Sequence, residues 1–199
     1  MSNDSTPAAA QRGQLTLTDP RALRALAHPV RLALLEALRE GPLTATEAGE
    51  IIGESPTTCS FHLRQLSRYG FVEETGGGKG RARPWRRTHT GWTAPVQPDN
   101  AEFMQAAQLL DHVLLDRHLA RIRQFVNSVS TYPPDWQQAA HFSSSVLHLT
   151  ADELAELTAA HQAVTEQFMD RWAARTQAPR TRPAGSRAVE VIFTAFPTA

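Results

Sequence analysis

Residues 44–71, TATEAGEIIGESPTTCSFHLRQLSRYGF, constrain the fold of this chain more than any other stretch. Thr44 and Glu47 stand three apart, the spacing at which a hydroxyl and a carboxylate reciprocally satisfy unpaired N–H groups at a helix start. Ala45, Ala48, Ile51 and Ile52 follow with helical period. Gly53 can leave that helix in the left-handed conformation. Ser55-Pro56 then restarts the chain as N-cap and first helical residue. The second helix should bury Cys59, Leu63 and Leu66, spaced four and three apart, and stop at Tyr69-Gly70. Its other face carries Thr57, Thr58, Phe61, His62, Arg64, Gln65 and Arg68. Two short helices about a tight turn form a helix-turn-helix pattern. A polar, basic face on the second is what insertion into a DNA major groove requires.

Charge is informative only by region. Lys and Arg balance Asp and Glu at 20 each, so the whole chain says nothing about an anionic partner. From Ser55 to Trp92, however, seven basic residues (Arg64, Arg68, Lys79, Arg81, Arg83, Arg86, Arg87) face only Glu73 and Glu74, a net of +5. From Thr93 onward eight basic residues meet eleven acidic ones, a net of −3. That split implies a nucleic-acid-binding half joined to a half with another task. The single cysteine, Cys59, excludes an intramolecular disulfide framework and fits a reducing compartment. The opening MSNDSTPAAAQRGQ lacks the apolar core of a secretory signal, and no stretch approaches about 20 uninterrupted apolar residues. A cytoplasmic location is the expectation.

Residues 1–17 are small and polar without periodicity and are expected to form a tail. Thr18-Asp19-Pro20 opens a helix with Leu23 and Leu26 on one face. His28-Pro29 interrupts it, because proline disfavours helical geometry at the preceding residue. A second helix, HPVRLALLEALREG, points Leu32, Leu35 and Leu38 inward and stops at Gly41-Pro42. After Gly70 the pattern turns extended: Phe71–Thr75 predicts a strand, GGGKGRAR a basic tip, and Pro84–His89 the returning strand. A basic β-hairpin directly after the second helix is the wing of a winged helix. Its cations, Lys79, Arg81 and Arg83, suit phosphates or a minor groove. Gly91–Asn100, rich in Pro and Gly, is expected to close the domain as a linker.

HPVRLALLEAL, the helix-turn-helix core and the basic hairpin together resemble the ArsR-type winged-helix repressors. The first-helix pattern of that family is matched by His28, Pro29, Arg31, Leu34, Leu35 and Leu38. Its recognition-helix pattern is matched by Ser55, Thr58, Ser60, His62, Leu63, Leu66, Gly70, Phe71 and Val72. The resemblance covers roughly residues 18–90. It implies a homodimer on a pseudo-palindromic operator, usually a repressor released by an effector. Metal-sensing members carry a Cys-x-Cys pair in the helix before the recognition helix, and Thr44–Gly53 holds none. Others use an Asp-x-His with a distal His and Glu, but Asp111-His112 and His118 are spaced differently. A tetrahedral zinc site needs three or four convergent ligands. Neither a metal nor a cofactor is expected.

Ala101 to Val129 predicts one long helix. Phe103, Ala107, Leu110, Leu114, Ile122 and Phe125 form its stripe, widened by Val113, Leu115, Leu119 and Val126. So broad a stripe needs covering on two sides, as in a helix that pairs across a dimer axis while capping its own domain. Arg117, Arg121 and Arg123 are expected on its solvated side. Tyr132-Pro133-Pro134-Asp135-Trp136 breaks it. Residues 141–149, HFSSSVLHL, are a candidate strand, and Thr150–Glu153 is a second capping box. It opens a helix with Leu154, Leu157, His161, Val164, Phe168 and Trp172 in line. After a loop at 176–186, Val189, Val191 and Phe193 alternate as a last strand, parallel to the first in a βαβ unit. This ending is also similar to that of other regulators of the class.

The expected class is therefore α+β: an N-terminal winged helix-turn-helix domain, a long dimerisation helix and a small helix-strand-helix-strand domain. The boundaries are a tail at 1–17, a DNA-binding domain at 18–92, and a dimerisation and effector-binding domain at 93–199. Candidate DNA contacts are Ser55, Thr57, Thr58, Ser60, Phe61, His62, Arg64, Gln65, Arg68, Lys79, Arg81, Arg83, Arg86 and Arg87. Arg64, Gln65 and His62 are the best placed for base edges, although His62 serves equally as a structural histidine. Cys59 near a helix start has the makings of a redox sensor, yet its apolar-face position favours a small core residue. Trp136, His148, His161 and Trp172 form a candidate effector pocket for a small molecule, with an ordinary core as the alternative use. The enzyme class finds no support. The Gly76–Gly80 run lacks phosphate-loop spacing, and no Gly-x-Ser-x-Gly or His-Glu-x-x-His occurs.

Overall fold

The structure, a computed structural model, describes residues 13–76, 83–175 and 183–198. It divides into two compact units, Met1–Asn127 and Ser128–Ala199. In the first, strand β1 (Gln14–Thr16) precedes four helices: α1 (Pro20–Leu26), α2 (Pro29–Ala37), α3 (Ala45–Ile52) and α4 (Pro56–Arg68). Strands β2 (Val72–Glu74), β3 (Trp85–Arg87) and β4 (Gly91–Thr93) follow, then the long helix α5 (Ala101–Ser128).

Each α-helix of this unit begins where side-chain chemistry supplies a cap. Asp19 accepts from the Arg21 N–H at 2.8 Å to start α1, and Pro20 occupies its first position. His28 starts α2 by accepting from the Val30 N–H on Nδ1 at 3.2 Å. Histidine can serve there only with Nδ1 unprotonated. The reciprocal capping box of Thr44 and Glu47 opens α3, with bonds of 2.7 and 3.2 Å. Asn100 accepts from the Phe103 N–H at 3.0 Å to start α5.

The core of this unit joins Leu23, Leu26, Leu34, Leu35, Leu38, Ala48, Cys59, Leu63 and Leu66 to Phe71, Val72 and Trp85 of the hairpin. Phe103, Ala106 and Leu110 of α5 complete it. β2 pairs antiparallel with β3 in the register Val72↔Arg87, Glu73↔Arg86 and Glu74↔Trp85. Leu43 and Trp85 exchange backbone hydrogen bonds of 3.0 and 2.8 Å, which ties the hairpin to the chain between α2 and α3.

Two expectations change here. β1 pairs in parallel with β4, Leu15 opposite Trp92, so residues 14–16 are not tail and the 91–100 stretch opens with a strand. Leu17, buried directly after β1, gives the reason: one apolar side chain anchors a segment whose composition otherwise suggests none. Second, Arg117 and Arg121 do not point into solvent. Both hydrogen-bond Glu36 of α2, binding the middle of α5 to the winged unit. Burial alone would raise the Glu36 carboxyl, but the hydrogen bonds and charges of Arg121 and Arg117 outweigh it and hold the group below its usual range.

In the second unit a 3₁₀ turn at Val129–Thr131 leads to α6 (Pro134–Ala139) and α7 (Ala151–Arg175). Thr150 and Glu153 form the capping box of α7, with bonds of 2.7 and 3.2 Å. Residues 141–149 and 189–193 form no ladder among the described residues, so the expected βαβ unit is absent there. Alternation alone does not make a strand; each needs a paired neighbour to satisfy its N–H and C=O groups. The C-terminal segment instead lays Phe193 on His161 of α7, ring centroids 4.0 Å apart and nearly parallel. The α+β class holds, its β content lying in the first unit. Among the described residues, no helix is long and apolar enough to cross a membrane.

Candidate nucleic-acid interface

α4 sits on the core through Cys59, Leu63 and Leu66, all fully buried. Its N-cap is Ser55, whose Oγ accepts from the Thr58 N–H at 3.1 Å and pairs with the Thr58 hydroxyl at 2.8 Å. Gly53 leaves α3 at φ +76°, in the left-handed region where a Cβ is strained. Gly49 matters more than its place in a helix suggests. A Cβ there would lie 2.5 Å from the Glu54 carbonyl oxygen, which folds back over α3 as the Glu54 N–H bonds Gly49 O at 3.1 Å. The turn is therefore tight because residue 49 has no side chain, a requirement that helical periodicity does not register.

Anchored in this way, α4 turns Ser55, Thr57, Phe61, Arg64 and Arg68 outward as an exposed row. Phe61 is 56% exposed, an apolar ring among polar neighbours that suits a thymine methyl. Thr58, Ser60 and Gln65 are half-buried on the flanks of this row.

His62 takes the structural of the two roles its position left open: it is buried, with its ring centroid 4.4 Å from that of His28. Its position one turn after Thr58 and beside Leu63 puts it on the inner flank of the helix. Its Nδ1 has no hydrogen-bond partner. Burial first, then the charges of His28 and Arg31, push its pKa down, with Glu54 opposing. His28 is lowered likewise by burial and Arg31. Cys59 is equally inward, and burial and then Glu54 push its thiol up. A thiol held protonated in an apolar core is poorly suited to redox sensing.

The wing carries its cations in pairs. Arg83 meets Glu74 at 3.3 Å and Arg86 meets Glu73 at 2.8 Å, both across the hairpin. Such exposed pairs are weak and readily exchanged for phosphate. Arg87 donates to the Thr90 carbonyl at 2.8 Å, and burial, then Arg39, lowers its guanidinium to about 10. Lys79 and Arg81 lie outside the described residues.

The candidate effector residues have separate surroundings. Trp136 is half-buried beneath the Arg187 guanidinium, His161 is half-buried against Phe193, and His148 and Trp172 are exposed. Among the described residues, no group of three or more His, Cys, Asp or Glu side chains is placed to hold a metal.

An amphipathic second helix clamped by a glycine turn and followed by a cationic hairpin defines a winged helix-turn-helix domain. Residues 26–75 match the family described as "Helix-turn-helix domain". The winged half resembles the ArsR type. It is 42% identical over 57 residues to the HTH-type transcriptional regulator NmtR of Mycobacterium tuberculosis. That match covers 29% of this chain and 48% of the relative, so the chain spans about half the length of the curated relative it matches. Among solved structures, the transcriptional repressor BigR of Xylella fastidiosa is 30% identical, covering 47% of this chain and 79% of that one, with a TM-score of 0.32. The homodimeric winged helix-turn-helix DNA-binding domain from Mycobacterium bovis is 26% identical, covering 50% and 79%, with a TM-score of 0.33.

Proposed function

We infer that the chain is a transcriptional regulator that binds double-stranded DNA as a homodimer and represses from a pseudo-palindromic operator. The observation that carries this reading is the outward row Thr57, Phe61, Arg64 and Arg68 on a helix whose opposite side is locked into a core. A rigid helix with cationic and hydroxyl groups on its free face is the element that reads major-groove edges. The similarity to NmtR, itself a transcriptional regulator, supports the same reading. Arg64 serves the base edges, Ser55, Thr57 and Arg68 the phosphates, and Arg83 and Arg86 the backbone beyond the groove. Residues 18–92 form the DNA-binding part and residues 93–199 the part that dimerises and takes an effector. α5 contributes to both, since its first turns belong to the winged core while Leu109, Leu115, Leu119 and Val126 remain exposed for a second copy. Two recognition helices would then meet successive major grooves about 34–36 Å apart.

The test is binding of the full chain to a duplex from its own upstream region across a salt series. Neutralising several phosphates requires affinity to fall steeply with salt. Arg64→Ala is expected to relax sequence preference, costing about 1–3 kcal/mol on the operator and little on random DNA. Salt-insensitive binding would refute the reading; equal losses on both duplexes would refute the role of Arg64.

A further inference from the structure

A shallow cleft of about 210 Å³ opens where α1, α2 and α4 meet, lined by Arg21, Arg24, Ala25, Arg31, Gln65 and Tyr69. Arg21 and Arg24 stand three apart on α1 and so share a face. Arg31 comes from the first turn of α2, Gln65 from α4 and Tyr69 from the C-cap of α4. Three guanidiniums line this cleft without a carboxylate among them. The ion pair that reaches it, Arg24 with Glu102 at 2.7 Å, is exposed on both sides and exchangeable. Arg31 is incompletely bonded: one of its terminal nitrogens donates to the Arg24 carbonyl at 3.3 Å, while its Nε is buried without a partner. Guanidinium forks gathered around a cleft, with an amide and a phenol beside them, match the several acceptor oxygens of a phosphate.

The position of the cleft selects the kind of phosphate. Gln65 follows Arg64 on α4, one step around the helix from the outward row that faces the groove. Contacts to backbone phosphates beside a groove fix the register of the helix within it. The geometry points to the Arg21–Arg24–Arg31 cleft as the seat of one backbone phosphate of the duplex, beside the groove that α4 enters. This rests on the DNA-binding reading of the preceding subsection and adds α1 and α2 to the interface.

The experiment compares the full chain with the double variant Arg21→Gln, Arg24→Gln. Both positions are exposed, and melting by circular dichroism verifies that the variant is folded. Affinity for an upstream duplex and for a random duplex of equal length is measured across a salt series. The variant should weaken on both duplexes by a similar factor, with a log–log salt slope shallower by about 0.9 for one lost phosphate. A methylphosphonate scan of the duplex then identifies the partner. One neutralised phosphate should weaken the parent chain and leave the variant unaffected. An unchanged slope, or methylphosphonate losses that simply add to those of the variant, would overturn the assignment. So would inorganic phosphate binding the parent but not the variant while the variant keeps the parent's duplex affinity and slope, since the cleft would then serve a free anion. If Arg64→Ala loses preference while the double variant behaves as the parent, the cleft assignment alone fails. If the parent shows no salt-sensitive duplex binding, the regulator reading falls and the cleft assignment with it.

Discussion

The two units of this chain solve the same problem to different extents. The winged unit buries its large apolar side chains among themselves, with Leu23, Leu26, Leu34, Leu63 and Leu66 at 0% exposure. In the second unit, no described residue reaches that state. Phe142, Val146, Phe168, Trp172, Val189 and Phe196 are each more than half exposed. Both sequences carry helical stripes and capping boxes, so local propensity does not separate them. What separates them is closure. Four short helices, a hairpin and the root of α5 enclose one core, whereas along α7 Val164, Phe168 and Trp172 stay exposed and the described C-terminal residues form no ladder.

The sharpest way to break the contrast is a truncation in the closed core. Leu63→Ala should destabilise the full chain by about 2–5 kcal/mol in urea titration, through lost burial and the cavity left behind. A loss below 1 kcal/mol would mean that the winged core is looser than its exposures indicate. Gly49→Ala comes next. Its methyl group meets backbone, not a flexible side chain, and overpacking of that kind costs roughly 1–3 kcal/mol. Duplex binding should fall with it, because the turn that aims α4 is the part displaced. Neutral stability in the alanine variant would show that the turn opens freely.

Acid should then act on the winged unit. His28 and His62 both have lowered pKa values in the folded chain, so each contributes stability that is fully present above the unfolded value near 6.5. As pH falls below that value the unfolded chain takes up protons first, and the contribution is lost progressively down through the lowered folded values. Unfolding midpoints measured between pH 8 and pH 5 should therefore drop towards acid. His28→Asn, which keeps an N-cap acceptor, should flatten part of that slope. The smallest effect is expected in the second unit: Trp172→Ala should change the stability of the dilute, monomeric chain by less than about 0.5 kcal/mol. At concentrations where copies associate, the same variant should dissociate more readily, as read by sedimentation. A large loss in the dilute chain would show that α7 is covered from within.

Legibility from sequence followed the same divide. The capping box at Thr44, the exit at Gly53, the restart at Ser55-Pro56 and the two strands of the hairpin were all readable, because each depends on residues close together in the chain. β1 was not readable, since its partner lies more than 70 residues away and a single buried leucine marks it. The same holds for Arg117 and Arg121, whose carboxylate partner Glu36 sits on another helix. At the interface, periodicity placed the outward row but left His62 open between a base edge and the core, and burial puts it in the core. Position 62 lies at the boundary between faces, and the ring of His28 decides which way it turns. The cleft lined by Arg21, Arg24 and Arg31 escaped notice because its cations come from two elements that the charge count treated as background.

α5 has a mechanical consequence of its own. At about 1.5 Å per residue, its 28 residues make a rod of roughly 42 Å. The rod is fixed at its root by Phe103, Ala106 and Leu110 and braced at mid-length by two arginines on one glutamate. With two attachment points it behaves as a lever whose angle is set by the winged unit. A tilt of one degree at the root sweeps the far tip through about 0.7 Å for a rod of that length. Whatever grips the tip therefore measures the attitude of the winged unit with considerable gain, and Glu36 is the pin on which that gain depends.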